Sequence, residues 1–133
     1  MRANPGELVD LRVDATLAQL SLVRTVSAAV AIRRDYDMDS VADLRLLVDE
    51  ACTLLLARAL PFGSLTVRFD VGRDEVTVRC SVQVLDEAPP TRSGLGWSLL
   101  GALAESLSCE VHPGEVFADL VIEFRMARRT ADA

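Results

Sequence analysis

Residues Asp43 to Arg58, DLRLLVDEACTLLLAR, set apolar side chains at helical spacing and fix the centre of the fold. Leu44, Leu47, Val48, Ala51, Leu55 and Leu56 gather on one broad face. At 3.6 residues per turn, Asp43, Leu47, Glu50, Leu54 and Arg58 form a second, narrower stripe down the side. Ser40 with Asp43 predicts a capping box, and Pro61 with Gly63 predicts the stop, so the helix should cover about 40–60. An amphipathic helix of this length needs a sheet or other helices to cover its apolar face.

Working outward, ELVDLRVD over 7–14 alternates and predicts a strand. A helix should follow over 16–33, started by Asp14 or Thr16. Its stripe is Leu17, Leu20, Val23, Val26 or Ser27, and Val30, while Leu22 and Ile32 lie off it and suggest a second contact surface. On the other side, 65–71 and 76–82 read as a hairpin joined by Gly72-Arg73-Asp74-Glu75. A loop with Pro89-Pro90 leads to a third helix over about 94–107. A last hairpin then pairs 109–111 with 116–126 around Pro113-Gly114, and the tail ARRTADA reads as disordered. The order β-α-α-β-β-α-β-β predicts an α+β two-layer sandwich, with helices on one face of a mostly antiparallel sheet. One domain is expected over 1–133, with an ordered core at about 7–126.

Composition narrows the chemistry. The formal charge is −6, which argues against direct nucleic-acid binding, because such proteins present a basic face to phosphate. All fourteen cations are arginine, so no mechanism that needs a lysine is available. Cys52, Cys80, Cys109 and His112 lack metal-site spacing, no metal is expected, and the thiols read as reduced core residues. No apolar run approaches the ~20 residues of a membrane span. The N-terminus lacks the apolar centre of a secretion signal, so a cytoplasmic location is expected.

Three features carry candidate chemistry, each with a plain structural alternative. Glu50 could act as a general base, or Asp49 and Glu50 could form a solvated edge or pair with a nearby arginine. Gly94-Leu95-Gly96 opens the third helix, either as a phosphate-binding turn or as an ordinary junction capped by Ser93. Asp86, just past a strand, could accept a hydrogen bond from an adenine amino group or simply shape a turn.

In this order, and within this series of elements, the three features resemble those of the anti-sigma-factor serine kinases of the GHKL (histidine-kinase-like) ATPase superfamily. VADLRLLVDEACT and SGLGWSLLGALAE carry the resemblance best, and it extends from about residue 8 to 126. It implies a Bergerat-type fold and sets Glu50 on the family's catalytic base, Asp86 on its adenine-binding aspartate, and Gly94 and Gly96 on its phosphate turn. The family's E-A-x-T-N appears as Glu50-Ala51-Cys52-Thr53-Leu54, so an aliphatic residue takes the place of the magnesium-binding asparagine. Magnesium requires oxygen ligands. The family's D-x-G-x-G appears as Asp86-Glu87-Ala88-Pro89-Pro90 without either glycine, and only seven residues separate Asp86 from Gly94, where relatives carry a longer lid. The family's glycine-threonine turn is represented at best by Gly114-Glu115-Val116-Phe117.

The resemblance therefore implies an anti-sigma factor that sequesters an alternative sigma factor and is released by an anti-anti-sigma antagonist. It implies a homodimer, with Arg24 on the first helix as a partner-binding residue. No cofactor is required, although weak ATP or ADP binding through Asp86 and the Gly94 turn is compatible with what remains. Two alternatives stand beside this reading. One is an active serine kinase using Glu50 on an anti-anti-sigma factor. The other is a ligand-sensing scaffold that reuses the former ATP cleft.

Overall fold

The computed structural model describes residues 6–88 and 92–129. Pro89-Pro90 and the last four residues fall outside this range. Strand β1 (Glu7–Asp14) leads through a short 3-10 turn into α1 (Leu20–Ile32) and α2 (Met38–Leu56). A hairpin of β2 (Ser64–Val71) and β3 (Glu75–Val84) follows, then α3 (Leu95–Leu103) and the pair β4 (Ser106–His112) and β5 (Ala118–Ala127). All strands pair antiparallel in the order β1-β2-β3-β5-β4. The predicted α+β layers are present.

Alternation in the strands decides which face meets the helices. Leu65, Val67, Phe69 and Val71 of β2 point into the core with Val76, Val78, Cys80, Val82 and Val84 of β3. The opposite face holds cross-strand charge pairs such as Arg68 with Asp10 and Arg79 with Glu123. Helix α2 covers the inner face with Leu44, Leu47, Val48, Ala51, Cys52 and Leu55, all buried. It touches α1, α3, β3 and β5, so it is the hub of the helical layer.

Several local expectations change. The cap of α2 is Asp37, whose carboxylate accepts the Ser40 amide at 2.8 Å. Ser40 is buried instead, and its hydroxyl accepts the Arg129 amide at 3.0 Å. The helix consequently starts two residues earlier than predicted and also ends sooner. In α1 the stripe runs through Ser27, which caps its own need by donating to the Val23 carbonyl at 2.8 Å, while Leu17 is exposed. Leu22 and Ile32 are exposed, as their off-stripe positions imply.

The third helix stops at Leu103, short of 107, because Ala104 turns extended and Glu105 donates its amide to Arg125. Ser106 then pairs with Arg125 as β4 begins. The start of the expected tail is held in place. Arg128 stacks over Tyr36 at 5.1 Å, and Arg129 clasps Asp43 at 2.6 Å.

Candidate functional site

Glu50 and Leu54 lie one turn apart on α2 and face the first turn of α3. Gly96 is the second residue of α3, and a Cβ there would meet Glu50 Oε2 at 2.9 Å and the Leu54 methyls at 3.7 and 3.8 Å. The missing Cβ of Gly96 is what lets the Glu50 carboxylate lie against the first turn of α3. Gly94 serves α3 differently. It is the N-cap at φ +94°, with no side-chain cap, and Ser93 does not fill that role. Gly94 lies in open space, where its carbonyl accepts the Ser98 amide at 3.1 Å.

Asp86 sits apart from these three. Its carboxylate is 71 % exposed and accepts the Ala88 amide at 2.9 Å, closing a tight Asx-type turn. Arg58, just past the C-cap of α2, donates to the same carboxylate oxygen at 3.3 Å and to the Ala88 carbonyl at 3.2 Å. Arg24 of α1 crosses to α2 and donates Nε to Asp49 at 2.7 Å. Arg24, Ala42, Arg45, Leu46 and Asp49 line a shallow groove of about 250 Å³.

The sequence-predicted residues therefore fall into three places. Glu50 and Gly96 are brought together, Gly94 stands at the mouth of that contact, and Asp86 is turned toward Arg58. Arg24 belongs to a separate surface. Asp49 meets the arginine pairing that its plain reading anticipates, whereas Arg58 has no role assigned from sequence. Arg58 is visible as the last member of the Glu50 stripe, but spacing along a helix does not say which acid an arginine will meet.

All three thiols are free and buried. A hydrogen bond with Cys52, together with burial, holds the Cys80 thiol well above its usual range, and burial raises Cys109. Among the described residues no cluster of His, Cys, Asp and Glu could hold a metal ion. No described helix is long and apolar enough to cross a membrane.

Could these residues hold a magnesium nucleotide? Leu54 offers methyl groups where an oxygen ligand is required, and it packs against Gly96. Asp86 is exposed and already holds two internal donors. Leu54 does not fit a magnesium ion, and no phosphoryl-transfer step is derived from this arrangement.

Comparison with known proteins agrees with the frame of this site. The chain is similar to the anti-sigma-F factor RsbW of Mycobacterium tuberculosis, 40% identical over 99 residues, covering 74% of this chain and 59% of the relative. It is also similar to the serine-protein kinase RsbW of Bacillus subtilis, 30% identical over 78 residues, covering 56% and 49% respectively. The chain thus spans roughly half to three-fifths of the length of these curated relatives. Its fold matches a crystal structure of the RsbU and RsbW domains of Rv1364c from Mycobacterium tuberculosis, with a TM-score of 0.65 at 16% identity over 95% of this chain and 34% of that one. The histidine kinase-like ATPase domain profile matches residues 13–117, a span that contains α2 with Glu50, the Asp86 turn and the glycine-bounded start of α3. By that match, and with the strand order and helical layer described above, the chain belongs to the histidine kinase-like ATPase domain family.

Proposed function

We propose that the chain is a cytoplasmic anti-sigma factor. It binds and sequesters an alternative sigma factor of RNA polymerase and yields it to an anti-anti-sigma antagonist. The observation that carries this reading is Leu54. It stands where the family places its magnesium ligand and packs against Gly96, so the frame of the domain persists while its metal chemistry does not. The 40% identity to a protein named as an anti-sigma-F factor supports the same direction.

In this reading the protein works as a homodimer through surface contacts and requires no nucleotide. Arg24 binds the partner, Glu50, Gly94 and Gly96 are relics of the catalytic cleft, and Asp86 is the former adenine carboxylate. The exposed Leu22 and Ile32 give α1 apolar area for a second protein to cover.

The test is co-purification from the native cell, with purified alternative sigma factors offered singly. Wild type should retain one of them, and Arg24→Glu should release it. Absence of any sigma factor from the wild type overturns the function, whereas full retention by Arg24→Glu overturns only the role of Arg24.

The similarity to serine-protein kinases supports a second reading, in which Glu50 serves phosphate transfer to a serine of the antagonist. Magnesium-dependent phosphorylation of an anti-anti-sigma protein, lost in Glu50→Ala, would establish it.

A further inference from the structure

We infer that Arg58 is an internal ligand of the cleft. Its guanidinium occupies Asp86, the carboxylate expected to receive an adenine amino group, and so latches the domain in a nucleotide-free state. This rests on reading the cleft as a relic nucleotide site but not on which partner the protein binds.

Three observations meet here. First, Arg58 is only 28 % exposed, far from a freely waving surface arginine. Second, it ties both ends of one turn, donating to Asp86 Oδ1 at 3.3 Å and to the Ala88 carbonyl at 3.2 Å, while the Ala88 amide donates to Asp86 Oδ1 at 2.9 Å. An adenine amino group would offer Asp86 a neutral donor in exchange for a charge-assisted one. The Ala88 carbonyl would also lose its guanidinium donor. Third, Leu54 methyls lie beside Gly96 at the start of α3, so no oxygen ligand stands there to hold a magnesium ion and offset the Arg58 contact. Arg58 is thus the one cation that the α2 stripe brings to the cleft, and it faces the base position rather than the helix start where phosphates would sit.

The test titrates wild type, Arg58→Ala and Arg58→Ala/Asp86→Ala with ADP and with ATP plus magnesium. Isothermal calorimetry and the emission of Trp97, the single tryptophan and the neighbour of Gly96, serve as readouts. Wild type should show no saturable binding at micromolar nucleotide. Arg58→Ala should bind ADP at least about ten-fold more tightly than wild type, and the double variant should lose that gain. Micromolar binding by wild type overturns the latch. So does Arg58→Ala binding no better, or worse, than wild type, the latter outcome making Arg58 a phosphate contact.

Arg58→Gln, which keeps most of the length without the charge, repeats the measurement if Arg58→Ala melts early. Sigma-factor retention by the same variants is scored separately, so failure of the latch and failure of the proposed function are read in different assays.

Discussion

Gly94 and Gly96 are two residues apart, yet their substitutions should behave differently. Gly94 holds φ +94° in open space, so Gly94→Ala meets backbone strain and no clash. A cost of about 1–2 kcal/mol is expected, visible as a lowered Tm. Gly96 has a helical backbone, and its added Cβ meets only the end of Glu50, which can swing away. Helix propensity favours alanine there by about 1 kcal/mol. Gly96→Ala should therefore be near neutral in thermal unfolding but should alter Trp97 emission as Glu50 moves. Equal destabilisation by the two changes would contradict this geometry.

Tyr36 offers a second test at the residue scale. It is buried, its hydroxyl donates to the Gly72 carbonyl at 2.9 Å, and burial pushes its pKa up to about 12, against the opposing pull of Arg128. Because the folded pKa is raised, the neutral phenol stabilises the fold below the ordinary value of 10. That contribution is lost as pH rises from about 10 to about 12. Tyr36 is the single tyrosine, so tyrosinate absorbance reports it alone. Ionisation near 12, or coincident with alkaline unfolding, is expected. Ionisation near 10 in the folded protein would show that the ring is not packed as described. Tyr36→Phe should cost about 1–3 kcal/mol, because it leaves the Gly72 carbonyl without its donor.

Among the three α-helices, α3 is the one held by the least core. Leu100 is its single fully buried side chain, and Trp97 and Leu103 pack only partly. Leu100→Ala should cost about 2–5 kcal/mol. It should also release α3 ahead of the sheet, seen as faster amide exchange in 95–103 than in β2 and β3. Uniform loss of protection would instead mean that α3 unfolds with the whole domain.

The shortness of α3 also shows where sequence reading stops. The β-α-α-β-β-α-β-β order was legible because strand alternation and the Leu44–Leu55 face are local signals. The end of α3 was not, since Ala104 through Leu107 keep helical spacing while Ala104 turns extended and pairing with β5 draws Ser106 and Leu107 into a strand. Ser40 was misread as a cap for the same kind of reason, because its partner, Arg129, lies 89 residues away. Glu50 and the glycines were readable as a set only through family resemblance. The contact of Arg58 with Asp86 spans 28 residues and leaves no trace in either local pattern.

For the whole molecule, charge is the property most exposed to a partner. The chain carries a formal −6, and the ion pairs on the outer sheet face cancel locally rather than offset that excess. The partner proposed above, a sigma factor, presents basic, DNA-contacting regions, so under that proposal its encounter with this surface should be steered electrostatically. Raising salt from 0.1 M to 1 M shortens the Debye length from about 10 Å to about 3 Å. The association rate with the proposed sigma factor should then fall by roughly ten-fold or more, while the dissociation rate changes little. Arg24→Glu should show a different signature. It removes the Arg24–Asp49 crossing and reverses an exposed charge on the surface proposed to meet the partner, so it should raise dissociation and also change the salt dependence of association. Surface plasmon resonance at several salt concentrations separates the two rates. An association rate indifferent to salt would mean that the acidic surface faces away from the partner, and that sequestration depends instead on the apolar flank of α1 around Leu22 and Ile32.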